Sequence, residues 1–85
     1  MRSEEINKWI SKGGSLPQDL TEEEKVHLTK LGWSVDEHWH SNGQKSYEWN
    51  WFHGMKHGVF KEWYEDGDPL IDEEYYYGNK IKETS

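Results

Sequence analysis

Carboxylates dominate one stretch of the sequence, and by type and spacing they are the residues most able to do chemistry. Paired acids such as Asp72 and Glu74 can serve as general acid and base when they line a pocket. The sequence indicates no such pocket, no nucleophile beside a base and no glycine-rich phosphate loop. We therefore expect no enzyme. Seven acids without an intervening Lys or Arg form the stretch: Glu62, Glu65, Asp66, Asp68, Asp72, Glu73 and Glu74.

The same acids have two explanations that involve no catalysis. Charged side chains protect the edge strands of a sheet from pairing with other chains. A block of one sign also suits contact with a basic protein surface, since complementary charge steers and orients association. Aromatic side chains, which often anchor interfaces, are interleaved with these acids. The predicted partner-binding residues are Phe52, Phe60, Glu62, Tyr64, Glu65, Asp66, Asp68, Asp72, Glu74 and Tyr76.

Histidines are the other candidates, because the chain has five of them and imidazole is a common metal ligand. His38 and His40 alternate along one predicted strand, and His53 and His57 follow. Structural zinc sites usually combine Cys and His at recognised spacings, and this chain has no cysteine. We therefore expect aromatic packing roles for these residues and neither a metal nor a cofactor.

A pattern that occurs twice between residues 39 and 83 positions these side chains. Trp39-His-Ser-Asn-Gly43 recurs as Trp63-Tyr-Glu-Asp-Gly67, and Trp51-Phe-His-Gly54 recurs as Tyr75-Tyr-Tyr-Gly78, both at an offset of 24 residues. A fixed period of this length is typical of a supersecondary unit that packs against its neighbour. The predicted repeat positions are Trp39, Gly43, Trp51, Gly54, Gly58, Trp63, Gly67, Tyr75 and Gly78.

From Trp33 onward, apolar residues alternate with period two, which predicts β-strands. Asn42-Gly43 is the strongest hairpin signal, because both residues accept positive φ. Odd-numbered strand positions lean apolar up to Ile81, so we expect them to form one buried sheet face and the even-numbered positions to form the other. The four predicted turns are Asn42-Gly43, His53-Gly54, Asp66-Gly67 and Gly78-Asn79.

Two short amphipathic helices precede the strands. The first is predicted from Ser3, as its cap, to Lys12. The second follows a capping box between Thr21 and Glu24 and ends at Gly32. The prediction is one α+β domain of residues 1–85. Its parts are a helical cap, 1–32, and an antiparallel β-meander of about five strands, 33–83, with two tandem 24-residue hairpin repeats.

Composition sets the class of protein. Only 32% of the 85 residues are hydrophobic, but six Trp, five Tyr and two Phe can bury much of the surface that a small domain needs. There is no cysteine and no apolar run long enough for a membrane span, so we expect a cytoplasmic protein. A formal net charge of −7 disfavours duplex nucleic acid and favours a basic protein partner.

Residues 39–83 resemble two tandem MORN-type repeats (membrane occupation and recognition nexus) in their bacterial form. The match rests on Trp63-Tyr64-Glu65-Asp66-Gly67, on Tyr75-Tyr76-Tyr77-Gly78-Asn79-Lys80 and on residues 57–62. This form of the repeat is similar to that in a family of antitoxins from toxin–antitoxin systems. The resemblance implies a sheet-like scaffold for protein contact, without catalysis. The chain departs from the family in having two repeats only, Pro69-Leu70 after the second turn, and a helical N-terminus.

Three functions follow from these observations. Our leading hypothesis is a non-enzymatic inhibitor that neutralises a toxin, such as a nuclease or endoribonuclease with a basic active site; it would be a bacterial antitoxin or a phage-encoded counter-defence protein. One alternative is RNA binding, alone or within an inhibitory complex, by base stacking on aromatics. The other is self-association as a homodimer through exposed aromatics. Membrane binding ranks last, because anionic lipid repels an acidic protein.

Overall fold

The chain forms two helices followed by a five-stranded antiparallel sheet, as described for residues 3–83 by a computed structural model. The strands lie in the sheet in chain order, so each pairs with its neighbours in sequence. The predicted α+β class and five-stranded meander are therefore confirmed. The elements are α1 Ser3–Lys12, α2 Glu22–Leu31, β1 Trp33–Trp39, β2 Lys45–Phe52, β3 Met55–Trp63, β4 Pro69–Tyr76 and β5 Asn79–Lys82.

The predicted capping box sets the start of α2. Thr21 Oγ1 accepts a hydrogen bond from the N–H of Glu24 at 3.2 Å, and Glu24 Oε1 accepts one from the N–H of Thr21 at 2.9 Å. Two of the unpaired donors at the helix start are thereby satisfied. At the other end, the N–H of Gly32 donates to the carbonyls of Leu28 and Thr29.

Helix α1 supplies apolar surface that the sheet needs for a core. Ile6 and Trp9 are fully buried, and they pack with Leu16, Leu28, Trp33 and Phe52 in one cluster. Ser3, the predicted cap, is already helical, and the position before it lies outside the described residues. Neither helix within residues 3–83 has the length and apolar run required to cross a bilayer.

Two-residue turns join β2 to β3 and β4 to β5. Both residues of each turn have positive φ: 51° and 78° at His53 and Gly54, and 45° and 87° at Tyr77 and Gly78. This is the backbone of a type I′ turn, whose twist matches that of the flanking strands. The second turn lies one residue before the predicted Gly78-Asn79, because β5 already begins at Asn79.

Five residues separate β1 from β2 (40–44) and β3 from β4 (64–68), and in each case a hydrogen bond between the first and the last of the five closes a three-residue loop. The N–H of His40 donates to the carbonyl of Gln44 at 2.7 Å, and the N–H of Tyr64 donates to the carbonyl of Asp68 at 2.9 Å. A register shift lies beside each loop, between residues 38 and 39 and between residues 62 and 63. Such loops combine a type I turn with a bulge.

The sequence indicates positive φ at Asn42, and this prediction is wrong. Positive φ among non-glycine residues is confined, within residues 3–83, to His53 and Tyr77. Asn42 contributes through its side chain instead, because its Oδ1 accepts the N–H of Gln44 at 3.0 Å. Asn and Asp commonly stabilise turns by bonding to the backbone two residues on.

The register of the sheet overturns the predicted faces. Trp33 lies opposite Phe52, and Trp49 lies opposite Phe60, so odd-numbered residues face even-numbered ones along most of each hairpin. Residues directly opposite each other share a face. A two-residue turn pairs residues whose numbers differ by three, so an odd-numbered residue lies opposite an even-numbered one. The bulge beside each three-residue loop likewise changes the difference between paired residue numbers from even to odd. Odd-numbered residues therefore lie on opposite faces of the sheet in consecutive strands, and the prediction of one odd-numbered buried face is wrong.

The two faces differ in what covers them. The helix-side face carries Trp33, Phe52 and His57, which pack beneath α1. The opposite face, called the open face below, carries Tyr47, Trp49, Trp51, Phe60 and Tyr75.

His57 joins the helix-side face to α1 and to the last turn. Its ring is fully buried, Nε2 donates to the carbonyl of Trp9 at 2.8 Å, and Nδ1 accepts the N–H of Tyr77 at 3.1 Å. Because a carbonyl only accepts and a backbone N–H only donates, these partners fix the neutral ring with its proton on Nε2. His57 is therefore a structural residue.

Candidate binding surface

A band of aromatic rings crosses the open face from β2 to β4. Ring centroids are 4.4 Å apart for Tyr47 and Trp49, 6.4 Å for Trp49 and Phe60, and 5.0 Å for Phe60 and Tyr75. Trp51 meets Phe60 edge-on at 5.3 Å. These separations are those at which aromatic pairs attract, so the band is a pre-formed surface.

Lys56 covers part of this band. Its Nζ lies 5.4 Å from the ring centre of Phe60 and 4.9 Å from that of Tyr75, within cation–π range. Phe60 and Tyr75 are buried, whereas Trp49 and Trp51 are only half-buried. The accessible part of the band therefore lies on β2.

A groove of about 250 Å³ runs along the band over Phe60. The indoles of Trp49 and Trp51 line it from β2, and Ile71 and Glu73 line it from β4. We call it the aromatic groove, and its full lining is Trp49, Trp51, Lys56, Phe60, Glu62, Ile71 and Glu73.

The two three-residue loops lie side by side at one end of the sheet. His40 Nε2 donates to the carbonyl of Trp63 at 2.9 Å, and Asn42 Nδ2 donates to the carbonyl of Glu65 at 2.8 Å. A shallow cleft opens beside them, and Glu62 lines both this cleft and the aromatic groove. We call it the loop-end cleft, and its lining is His40, Ser46, Glu62, Trp63, Tyr64, Glu65, Asp66 and Leu70.

Part of the acidic stretch is paired with lysines from neighbouring strands. Asp72 lies 3.9 Å from Lys61 Nζ and 3.4 Å from Lys82 Nζ, and Glu73 lies 3.2 Å from Lys80 Nζ. The hydrogen bond that Lys80 donates to Glu73 raises the pKa of Lys80. The sequence shows no cation inside the stretch because these cations come from β3 and β5.

The other acids are concentrated at the loop end. Within residues 3–83, no Lys or Arg forms an ion pair with Glu62, Glu65, Asp66 or Asp68. Asp66 Oδ1 accepts the N–H of Asp68 at 3.0 Å, which holds the second loop in shape as Asn42 holds the first. The uncompensated negative charge therefore lies on an ordered backbone.

The structure divides the predicted partner-binding residues between two faces. Phe60 and Glu62 line the aromatic groove, and Tyr64, Glu65 and Asp66 line the loop-end cleft with Glu62; Asp68 ends the same loop.

The remaining predicted residues lie elsewhere. Phe52 is buried in the core at 5% exposure. Asp72 lies opposite Lys61, and Glu74 lies opposite Val59, both on the helix-side face. The ring of Tyr76 packs beside buried His57, with centroids 5.5 Å apart. The predicted grouping of Phe52 and Phe60 on one exposed surface is therefore wrong, because parity changes between β2 and β3.

Sequence reasoning missed Trp49, Ile71 and Glu73 as members of the open-face groove. All three are odd-numbered residues of β2 and β4, which the parity prediction assigned to the buried face. The signal was present in the turn lengths, because two-residue turns reverse parity. Counting residues across each turn would have placed them beside Phe60 and Glu62.

A second cleft, of about 370 Å³, lies on the helix-side face between the α1–α2 loop and β1 and β2. Lys45 Nζ lies 2.7 Å from a carboxylate oxygen of Glu37 and of Glu48, and 5.7 Å from the ring centre of Trp39. Burial lowers the pKa of Lys45, but hydrogen bonds and charge from the two glutamates outweigh burial and raise it above 10.5. Both carboxylates are therefore already paired with a cation of the chain, although one lysine balances only one of the two negative charges.

The histidines lie apart from one another in the sheet. His38 stacks on Tyr47, His40 bonds to the neighbouring loop, and buried His57 bonds to α1. In the described part of the chain, no group of three His, Cys, Asp or Glu residues is placed to hold a metal ion.

Comparisons of the chain with protein-family models, with curated proteins and with solved structures found no match. The case for a function therefore rests on the geometry of the two surfaces at the loop end and on the open face.

Proposed function

We propose that the chain is a non-enzymatic inhibitor that binds a basic protein, in particular a nuclease toxin, through the loop-end cleft. The observation that carries this proposal is the gathering of Glu62, Glu65 and Asp66 around exposed apolar surface. Tyr64 is 53% exposed and Leu70 is 42% exposed beside these acids. An acidic rim around aromatic anchors is suited to a cationic partner with apolar pockets.

The proposed mechanism is occlusion of the groove in which the nuclease holds nucleic-acid phosphates. Such a groove is lined with Lys and Arg, so it has high affinity for anions and loses it with rising salt. Carboxylates that enter the groove compete directly with the phosphates. No covalent step is needed, because filling the groove excludes the substrate.

The loop backbone supports the proposal, because it is fixed before any partner binds. The carbonyls of Trp63 and Glu65 accept hydrogen bonds from the first loop, and Asp66 bonds within its own loop. A surface that is already ordered loses less conformational entropy on binding than a mobile one.

We also propose that residues 39–83 are two copies of one 24-residue unit of the MORN type. The positive-φ turns at His53 and Tyr77, the loop hydrogen bonds made by His40 and Tyr64, and the neighbouring bulges support this, since each pair is offset by 24 residues. Stacking of the units would bring the two loops together and so create the cleft.

The test is affinity capture of the tagged chain from its native cell, with nuclease-treated samples and mass spectrometry. The test variant carries Glu65→Gln, Asp66→Asn and Asp68→Asn. Asp66→Asn retains a side-chain oxygen that accepts the N–H of residue 68, as Asn42 accepts the N–H of Gln44 in the first loop. The control variant carries Glu4→Gln, Glu22→Gln and Glu23→Gln, which removes the same charge from exposed helix ends.

We expect the unmodified chain and the control to capture and inhibit one basic nuclease. The loop variant should bind it at least tenfold more weakly, because charge-assisted hydrogen bonds contribute about 1.5–3 kcal/mol each. Equal capture by the loop variant and the control would overturn the proposal. Recovery of RNA alone, or only of further copies of the chain, would also overturn it.

A further inference from the structure

Glu62 lies where the aromatic groove and the loop-end cleft meet. It is half-buried, it lines both depressions, and within residues 3–83 no Lys or Arg forms an ion pair with it. The nearby Glu73 is different, because it already bonds to Lys80 Nζ at 3.2 Å and to the hydroxyl of Tyr75 at 3.1 Å. Glu62 is therefore the anion of this groove that remains open to an external donor.

Apolar walls flank this carboxylate. Ile71 lies opposite Glu62 across the β3–β4 pairing. On β2, Tyr47 lies opposite Glu62, and Trp49 is the diagonal neighbour that lines the same groove. The rings of Trp49 and Phe60 are nearly parallel, with planes 7° apart. A ligand that fits here has a flat or apolar body and a positive end that donates hydrogen bonds.

The geometry points to an arginine side chain of the partner as the occupant of the aromatic groove. The guanidinium is planar, stacks on aromatic faces and donates two parallel hydrogen bonds to a carboxylate. In the bound state it donates to Glu62 and stacks against Trp49. That the arginine belongs to a nuclease rests on the proposed function, whereas the preference of the groove for an arginine side chain does not.

Two further observations favour a foreign arginine over other occupants. The chain has a single arginine, at position 2, so a second copy of the chain could supply only that one side chain. Lys56 lies at the other end of the groove, over Phe60 and Tyr75, and leaves the Glu62 end without a cation. A lysine of the partner would meet Glu62 as a point charge but would stack less well on the indole.

The test is a titration of the isotope-labelled chain with the peptide acetyl-Gly-Arg-Gly-amide, observed through the indole N–H signals of Trp49 and Trp51. The same peptide with citrulline, which is isosteric and uncharged, is the control ligand. We expect the arginine peptide to shift both indole signals at roughly millimolar concentration, since one anchor contributes only a few kcal/mol. The citrulline peptide should leave them unchanged.

Two variants are expected to change the affinity in opposite directions. Glu62→Gln should weaken binding of the arginine peptide about tenfold, through loss of a charge-assisted hydrogen bond. Lys56→Met keeps an apolar cover over Phe60 but removes a repelling charge, so it should tighten binding about twofold to threefold. Glu23→Gln, on exposed α2, should have no effect.

Equal shifts with the citrulline peptide would overturn the inference. Absence of shifts at the solubility limit of the arginine peptide, or unchanged affinity in Glu62→Gln, would overturn it as well. The proposed function is tested separately by partner capture. If capture is lost with the loop variant but unaffected by Glu62→Gln, the proposed inhibitor function stands and the arginine site is rejected.

Discussion

Gly58 shows how one residue on β3 allows the helix to approach the sheet. Its φ is +90°, and a Cβ at this position would overlap Nε1 of Trp9 and lie 3.1 Å from the carbonyl of Gly14. Trp9 Nε1 is itself buried without a hydrogen-bond partner among the described residues, which fits an indole pressed against bare backbone. The sequence marks Gly58 as a repeat position but cannot reveal this contact, because Trp9 is far away along the chain.

Gly58→Ala is therefore expected to destabilise the protein by about 3–5 kcal/mol, through backbone strain and displacement of Trp9. Gly43→Ala is the matched control, since Gly43 has the same φ of 90° and nothing within 4 Å of the added Cβ. It should cost only about 1–2 kcal/mol. Chemical denaturation of both variants measures the difference, and equal costs would contradict the packing of Trp9 on Gly58.

Lys45 gives the fold a dependence on alkaline pH. Burial lowers its pKa, yet Glu37 and Glu48 raise it more, so the folded-state pKa lies above 10.5. A raised pKa stabilises the folded state below pH 10.5, and this contribution is lost as the pH rises through the folded-state pKa. The lysine is partly solvated, so the effect is small.

We expect the thermal midpoint of the unmodified chain to exceed that of Lys45→Met at pH 8–9 and the gap to narrow above pH 10.5. The measurement is thermal unfolding of both proteins across this range. The double variant Glu37→Gln, Glu48→Gln should show the same narrowing relative to the unmodified chain. A gap that stays constant with pH would show that Lys45 contributes by packing alone.

Among the elements, α2 was the easiest to predict, because its ends depend on local signals. The sequence indicates a capping box at Thr21 and a terminating glycine at position 32, and the structure confirms both ends of the helix. The strands were predicted almost as well, since turns with glycine separate them. Their faces were not, because a face depends on the pairing partner, and a single bulge or turn length reverses it. The prediction of the candidate surface was incomplete for the same reason. Glu62 and Phe60 were predicted, but Trp49 and Ile71 were assigned to the wrong face and missed.

Thr21→Ala should destabilise the protein by about 1 kcal/mol, because the first turn of α2 loses its side-chain acceptor. Thr29→Ala is the control within the same helix: Thr29 is exposed, and its hydroxyl bonds only to the carbonyl of Lys25. That substitution should be neutral or slightly stabilising, since Ala has the better helix propensity. Urea unfolding distinguishes the two, and equal stabilities would argue that the cap is unimportant.

The whole molecule combines a sheet that can be extended with a helical cap that covers only part of it. The helical cap packs on Trp33, Phe52 and His57 of β1 to β3, and Gly13, just after α1, lies against β4, whereas β5 is exposed throughout. If residues 39–83 are two copies of one unit, a further copy added beyond β5 should continue the sheet without disturbing the core.

The extended chain carries a second copy of residues 59–82 after Lys82. We expect two additional strands, dispersed amide signals from the added residues and one cooperative unfolding transition at no lower temperature. Adding the same residues in shuffled order is the control and should leave them unstructured. Random-coil signals from the ordered copy would contradict the repeat proposal.

The in-order arrangement of the strands has a consequence for how the molecule reaches its native state. Each hairpin brings together residues that are close in the chain, which favours fast formation of the sheet. The bonds of His57 are different, because they join Trp9, made early in synthesis, to Tyr77, made late. Trp9 is therefore synthesised well before Phe52 and His57, the aromatic side chains that pack against it.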